Sequence, residues 1–227
     1  MLKQWRKSWL TRRVQSAIAG GLNGAYARVR VDPDKYLQRV RQAHQLPIRS
    51  WPDMFLVPQE TVDEIANQTV HRAMRFAALE GTGLGMGGML TLVPDLGILS
   101  ATTIRMIQKL SLLHGFTYST GEEVAGLWIA AASAAGVDLG RELIEKEGIE
   151  RFVPRIVERI AAKMSCEVVE KWSARLIPIV SGALGGALNY YFVREWGRRA
   201  TWHFREKHQQ VRSQMARVAA QNGVGGA

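Results

Sequence analysis

Apolar side chains recur at intervals of three and four residues along most of the chain, which is the spacing of one helix face. The first 30 residues place Leu2, Trp5 and Trp9 on one side and basic residues on the other, as an amphipathic helix does. No persuasive alternation of apolar and polar residues, the pattern of a half-buried strand, occurs. The sequence therefore predicts an all-α fold, a single helical domain with amphipathic basic terminal helices and two glycine-rich apolar helical segments.

Proline and aspartate divide the first part of this pattern. Asp32-Pro33-Asp34 predicts the start of a short helix that ends before Pro47. The segment from Gln45 to Pro58 contains three prolines and is predicted to be a connector rather than a regular helix. Its larger apolar side chains are expected to turn inward; they are Trp51, Phe55 and Leu56.

Later helix boundaries are predicted from capping residues. A hydroxyl residue followed three positions later by Glu forms a capping box, and two such pairs occur, Thr61 with Glu64 and Ser119 with Glu122. Pro94-Asp95 predicts the start of another helix, and Gly115 its end.

Two stretches, Gly81–Asp95 and Leu176–Asn189, are rich in glycine and otherwise mostly apolar. Glycine at four-residue spacing removes the side chains that keep helices apart, which suits tight helix contacts or contact with a bilayer. Gly83, Gly85 and Gly88 also match G-x-G-x-x-G, but a dinucleotide site needs a strand before this motif. A helix precedes it here, so close packing or a hinge is favoured over phosphate binding.

The second stretch belongs to an uncharged run, Leu176–Val193, whose 18 residues reach the lower limit for a membrane span. Pro178, Ser181 and Asn189 lower its hydrophobicity. Helices packed in a protein core, or inserted partway into one leaflet, are therefore the preferred interpretation, with a true span as the alternative.

The formal net charge of +10 is carried mainly by basic residues near the two ends. Basic helices beside apolar segments suit an anionic membrane surface, where each Lys or Arg contributes about 1 kcal/mol, although solvated cationic helix faces would look the same. Nucleic acid is not expected as a partner, because no recognised binding module is visible. The residues expected at the membrane surface are Trp5, Trp9, Arg12, Arg13, Trp196 and Arg198; Trp202 also lies near arginines.

Reactive chemistry is not indicated by any residue pattern. The five histidines show no metal-ligand spacing, and Cys166 lacks a nucleophile motif. Glu80 and Asp95 bracket the first glycine-rich stretch and suit helix capping or contact with a ligand. No catalytic residue, metal or cofactor is expected. The candidate binding residues are Glu80, Gly83, Gly85, Gly88, Asp95 and Asn189.

The chain resembles the EcsC protein family over about Val57 to Phe204. The resemblance is carried by small residues and polar positions between them: Ala78-Leu79-Glu80-Gly81, Gly83, Gly85, Gly87, Gly88, Pro94-Asp95, His114-Gly115, Ile177-Pro178-Ile179-Val180-Ser181-Gly182, Gly185, Gly186 and Asn189. The family is named from a gene neighbour of an ABC transporter. The resemblance implies a largely uncharacterised helical protein, with membrane association as one expectation.

The resulting domain prediction has three parts: a basic amphipathic helix over residues 1–30, an EcsC-like helical domain over 31–220 and a tail over 221–227. No secretory signal is apparent, because basic residues interrupt any apolar core at the N-terminus. The expected location is the cytoplasm, peripherally on the inner face of the cell membrane.

Two main functional hypotheses remain open at this point, with an enzyme of unrecognised type as a third. The first is a non-enzymatic membrane-associated protein that assists a membrane system, with a transporter or a lipid as further partners. The alternative is a soluble helical binder that encloses a lipid or another apolar ligand. The sequence does not indicate the oligomeric state.

Overall fold

The computed structural model describes residues 2–28, 30–84, 92–138, 149–173 and 182–224. Side chains are described for residues 11–24, 30–81, 97–138, 152–166, 186–187 and 189–222. These residues form helices and no strand, which confirms the all-α class. The helices are α1 (Leu2–Arg28), α2 (Pro33–His44), a 3-10 helix (Trp51–Leu56), α3 (Gln59–Leu84), α4 (Leu92–Leu113), α5 (Gly121–Ala134), α6 (Ile149–Ser173) and α7 (Gly182–Val224).

Helix α4 lies at the centre of the bundle and packs against α1, α3, α5 and α7. The most extensive pairing joins α3 with α7, while α6 packs against α1 and α5. Because α4 is covered from several sides, most of its second half is buried. The buried residues are Leu99, Ser100, Thr103, Ile104, Met106, Ile107, Gln108, Leu110, Ser111, Leu112 and Leu113.

The N-terminal helix belongs to this packed body. Val14, Ile18 and Leu22 of α1 are buried, and they recur at the spacing of one helix face. At Gly21 the helix meets α4 so closely that a Cβ atom would lie 3.1 Å from the Cα of Gly97. The boundary predicted at residue 30, between the N-terminal helix and the helical domain, comes just after the end of α1. Helix α1 nevertheless packs against helices of that domain, α4 and α6.

The predicted start of α2 is confirmed. The Oδ1 atom of Asp32 accepts hydrogen bonds from the backbone N–H groups of Asp34 and Lys35, both at 3.1 Å. These bonds satisfy two of the donors that a helix N-terminus leaves free. The helix ends at His44, before Pro47, as expected.

The predicted capping boxes were both misplaced. α3 begins at Gln59, because the carbonyl of Pro58 already accepts hydrogen bonds from the N–H groups of Thr61 and Val62. Thr61 therefore lies inside the helix instead of capping it. The box at α5 sits one residue later than predicted, on Thr120 and Glu123, since Glu123 reaches back to the Thr120 N–H at 2.9 Å.

The connector before α3 is only partly as predicted. Trp51 is buried, stacks on Tyr36 with ring centroids 5.4 Å apart, and donates its indole N–H to the carbonyl of Pro33 at 3.2 Å. Phe55 is half-buried. Leu56 is 74% exposed, so the expectation that it turns inward was wrong.

Glycine does allow close helix contact in this fold, at a position that the sequence did not single out. Gly197 of α7 crosses α3 and α4, and a Cβ atom there would lie 2.5 Å from Cγ1 of Val70 and 3.2 Å from Sδ of Met106. The glycine-rich stretches expected to do this fall largely outside the described residues, 85–91 and 174–181 among them. Within the described part of the chain, no helix combines the length and hydropathy of a membrane span.

We predict that Gly197→Ala destabilises the protein by about 1–3 kcal/mol, because the added methyl group would overlap Val70. Gly126→Ala in α5 is the control: its Cβ would have nothing within 4 Å, so the better helix propensity of Ala should leave stability unchanged or raise it by about 0.5–1 kcal/mol. Urea unfolding followed by circular dichroism measures both. Equal stability of the two variants would contradict close packing at Gly197.

Candidate functional site

A cavity of about 230 Å³ lies between α2, α3 and α4. The three helices supply its walls in a regular way. Thr69, Arg72 and Phe76 follow one another on α3 at the spacing of a single helix face, and α4 repeats this spacing. The described residues that line it are Tyr36, Arg39, Thr69, Arg72, Ala73, Phe76, Thr102, Arg105, Met106 and Lys109.

Four of these ten residues are cations and none is acidic. No carboxylate in the described part of the chain forms an ion pair with the four, which are Arg39, Arg72, Arg105 and Lys109. The arginines are exposed and Lys109 is half-buried. Burial lowers the pKa of Lys109, and the positive charges of Arg105, Arg39 and Arg72 lower it further. The cavity thus holds repelling charges with no anion of the described chain to offset them.

Hydroxyl groups complete the polar lining. Tyr36 is buried, and its oxygen lies 3.4 Å from Oγ1 of Thr69. Burial raises the pKa of Tyr36, so its phenol stays protonated and able to donate a hydrogen bond. Nζ of Lys109 lies 5.6 Å from the centroid of the Tyr36 ring, within the range of a cation–π contact that offsets part of the cost of burying the ammonium.

Apolar side chains lie beside this cationic cavity. Phe76 lines it while remaining 48% exposed, and Leu79, three residues later on α3, is 73% exposed. Residues three apart are neighbours on a helix surface. The site therefore combines cations and hydroxyls with an exposed apolar edge, an arrangement able to bind an anionic group that carries an apolar part.

Glu80 and Asn189, the candidate binding residues whose side chains are described, do not line this cavity. Glu80 is half-exposed and lies one turn after Phe76 on α3, and Gly83 lies in the last turn of the same helix. Asn189 is buried in α7. Asp95 lies in the first turns of α4, with its side chain outside the described residues, as are Gly85 and Gly88.

One of the expected membrane-surface residues is corrected by the structure. Trp196 is 3% exposed, because it lies on the face of α7 that packs into the core, and it cannot meet a membrane surface there. Arg12 and Arg13 are exposed on α1, and Arg198 is exposed with an ion pair to Glu195 at 3.1 Å. The side chains of Trp5 and Trp9 lie outside the described residues.

A second group of titratable side chains lies in the core. Nδ1 of His114 contacts the carbonyl of Leu110 at 2.7 Å, and Nδ1 of His208 contacts the carbonyl of His114 at 3.0 Å. Nδ1 of each ring must therefore carry the proton, which leaves the buried Nε2 atoms as acceptors with no partner in the described chain. Burial lowers the pKa of His114 to about 4. Within the described residues, no group of three or more His, Cys, Asp or Glu is placed to hold a metal ion.

The fold and the site define a helical-bundle protein with a cationic cavity on its surface. The chain belongs to the EcsC protein family, whose model matches residues 6–208. It is also 27% identical over 143 residues to Protein EcsC of Bacillus subtilis (strain 168), a match that covers 61% of this chain and 60% of that protein. No solved structure matches the chain. The family match begins well before Val57, in keeping with the packing of α1 into the core.

We predict that Lys109→Met raises stability by about 1 kcal/mol, or 2–4 °C in Tm, because it removes a half-buried charge that neighbouring guanidiniums repel. Arg217→Met on the exposed end of α7 removes the same charge and should leave Tm unchanged. Calorimetry at low phosphate and low salt measures both. A Tm that falls in Lys109→Met would contradict the repulsion described here.

The buried His114 predicts acid sensitivity. Its folded pKa of about 4 lies below the ordinary value of 6.5, so between these pH values the unfolded chain binds a proton that the folded chain excludes. Stability should fall by about 2 kcal/mol from pH 7 to pH 5 through this group. Urea unfolding of His114→Gln should show a smaller loss over that interval, whereas His71→Gln on the exposed face of α3 should behave as the parent does. If the stability of His114→Gln fell as much between pH 7 and pH 5 as that of the parent, His114 would not be the cause of the acid sensitivity.

Proposed function

We propose that this member of the EcsC family is a non-enzymatic protein that attaches peripherally to anionic membrane surfaces. The observation that carries the proposal is the cavity between α2, α3 and α4, where four cations without carboxylate partners in the described chain lie beside exposed apolar side chains. Such a surface gains both charge attraction and apolar contact at a lipid headgroup layer.

The magnitudes favour reversible attachment. Each Lys or Arg close to an anionic membrane contributes about 1 kcal/mol, so the four cations together contribute roughly 4 kcal/mol. Burial of Phe76 or Leu79 among headgroups adds roughly 1–2 kcal/mol for each side chain. Charge attraction of this kind is screened over about 8–10 Å at physiological ionic strength, so salt should weaken the attachment.

The volume of the cavity bears on the alternative of a soluble lipid carrier. Pockets that enclose drug-sized ligands occupy roughly 300–1,000 Å³, and the described cavity is smaller, at about 230 Å³. It has room for a headgroup and not for acyl chains. This favours attachment of the protein to a lipid surface over enclosure of a whole lipid in this cavity.

The proposed location is the inner face of the cell membrane, with a membrane transport system as the partner that such attachment would serve. The family resemblance suggests this accessory role, and no described residue is assigned to it. The cationic cavity bears only on the attachment step, which is therefore the step to test first.

The test compares two variants that each lose two positive charges. Arg72→Gln/Arg105→Gln alters the cavity, and Arg12→Gln/Arg13→Gln alters exposed residues of α1. In sedimentation with phosphatidylglycerol vesicles, we expect the cavity variant to bind about tenfold to thirtyfold more weakly than the parent. The α1 variant should lose much less, and neutral phosphatidylcholine vesicles should bind little of any form.

Other results would locate or exclude the contact. If the α1 variant lost more vesicle binding than the cavity variant, the membrane-binding face would lie on α1 and not at the cavity. Trp202→Ala tests α7 in the same way, since the Trp202 side chain is 61% exposed. It lies on the helix whose Gly197 packs against Met106 of α4. Equal binding of the parent to anionic and neutral vesicles at low salt would refute the proposal.

A further inference from the structure

We infer that the cavity between α2, α3 and α4 is a binding site for the phosphate group of a phosphomonoester, either on a lipid headgroup or on a soluble molecule. The lipid form of this ligand rests on the proposed membrane attachment, whereas the soluble form does not. The inference concerns selectivity: it requires a phosphomonoester to be preferred over phosphodiesters at the same ionic strength, whether the monoester is in solution or on a lipid.

The number of cations favours a multiply charged ligand. Arg39, Arg72, Arg105 and Lys109 face one cavity of about 230 Å³. A phosphomonoester carries about −1.5 to −2 charges at pH 7, whereas a phosphodiester or a carboxylate carries only one. The monoester therefore neutralises more of the repulsion among the four cations, and it does so within the volume of a single group.

The arrangement of donors also suits a tetrahedral anion. The cations come from three walls, with Arg39 on α2, Arg72 on α3 and Arg105 on α4. A guanidinium binds phosphate oxygens through two parallel N–H bonds, while the ammonium of Lys109 supplies a compact point charge. A monoester offers three terminal oxygens, so donors from three directions can each be matched.

Hydroxyl groups and size restrict the ligand further. The protonated phenol of Tyr36 and the hydroxyls of Thr69 and Thr102 add neutral donors to the lining. A volume of about 230 Å³ equals that of roughly eight water molecules in the liquid, which accommodates a phosphate with the first atoms of its ester arm. Phe76 beside the cavity is placed to contact the remainder of that arm.

The first experiment uses soluble probes on the full chain. Calorimetric titration with glycerol 3-phosphate should give saturable binding, and dimethyl phosphate, a diester, should bind at least tenfold more weakly at the same ionic strength. Lys109→Met should weaken glycerol 3-phosphate binding about tenfold or more, because it removes the half-buried cation. The matched control, Arg217→Met, loses the same charge outside the cavity and should bind as the parent does.

The second experiment separates the two sources of the phosphate. Vesicles containing phosphatidate, a monoester, are compared with phosphatidylglycerol vesicles adjusted to the same zeta potential. Preference for phosphatidate that is lost in Lys109→Met supports the lipid source. Saturable binding of glycerol 3-phosphate without such a preference supports the inference with a soluble source.

Failure of this inference and failure of membrane attachment give different results. If phosphatidate and phosphatidylglycerol bind equally, and soluble monoesters do not bind, the inference is overturned while membrane attachment stands. If soluble monoesters bind at Lys109 and no vesicle binds, membrane attachment fails while the inference stands. Displacement of glycerol 3-phosphate by an oligonucleotide at matched ionic strength would overturn the preference for monoesters and indicate a nucleic-acid surface instead.

Discussion

The burial of α4 is the constraint on which the rest of the structure depends. An apolar helix inside a bundle must be covered by others, and α1, α3, α5 and α7 all pack against it. Some of these helices approach closely, and they can do so only where side chains are missing. Gly21 meets the backbone of Gly97, and Gly197 fits against Val70 and Met106.

The cationic cavity arises where this coverage of α4 is incomplete. Thr102, Arg105 and Lys109 form the strip of α4 that faces the gap between α2 and α3. Most of the described surface of α4 is therefore buried in the core, and the remaining strip lines the cavity. The half-buried Lys109 is repelled by neighbouring guanidiniums and has no carboxylate partner in the described chain, so an anion bound from outside would relieve this repulsion.

The basic surface near the chain ends and the cationic cavity differ in how far the sequence could identify them. Charge counted along the chain drew attention to the ends, where Arg12, Arg13 and Arg198 are indeed exposed. The cavity instead combines one or two cations from each of three successive helices, at positions about thirty residues apart in the sequence. Its local signal was the repeated spacing of a threonine, an arginine three residues later and a further residue four after that, as in Thr102, Arg105 and Lys109. This spacing alone does not predict a cavity, because the cavity forms only where the helices pack side by side.

The sequence by itself determined the helical class, the family, and those helix ends that depend on neighbouring residues, such as the Asp32 cap of α2. Local hydrogen bonds and the period of the apolar residues suffice for these features. Only the tertiary structure decided which face of each helix is covered: Trp196 is buried, whereas Trp202 on the same helix is exposed. The reason is geometric. Helical periodicity fixes the angle between two side chains of one helix, but the neighbours that each face meets depend on contacts between residues far apart in the chain.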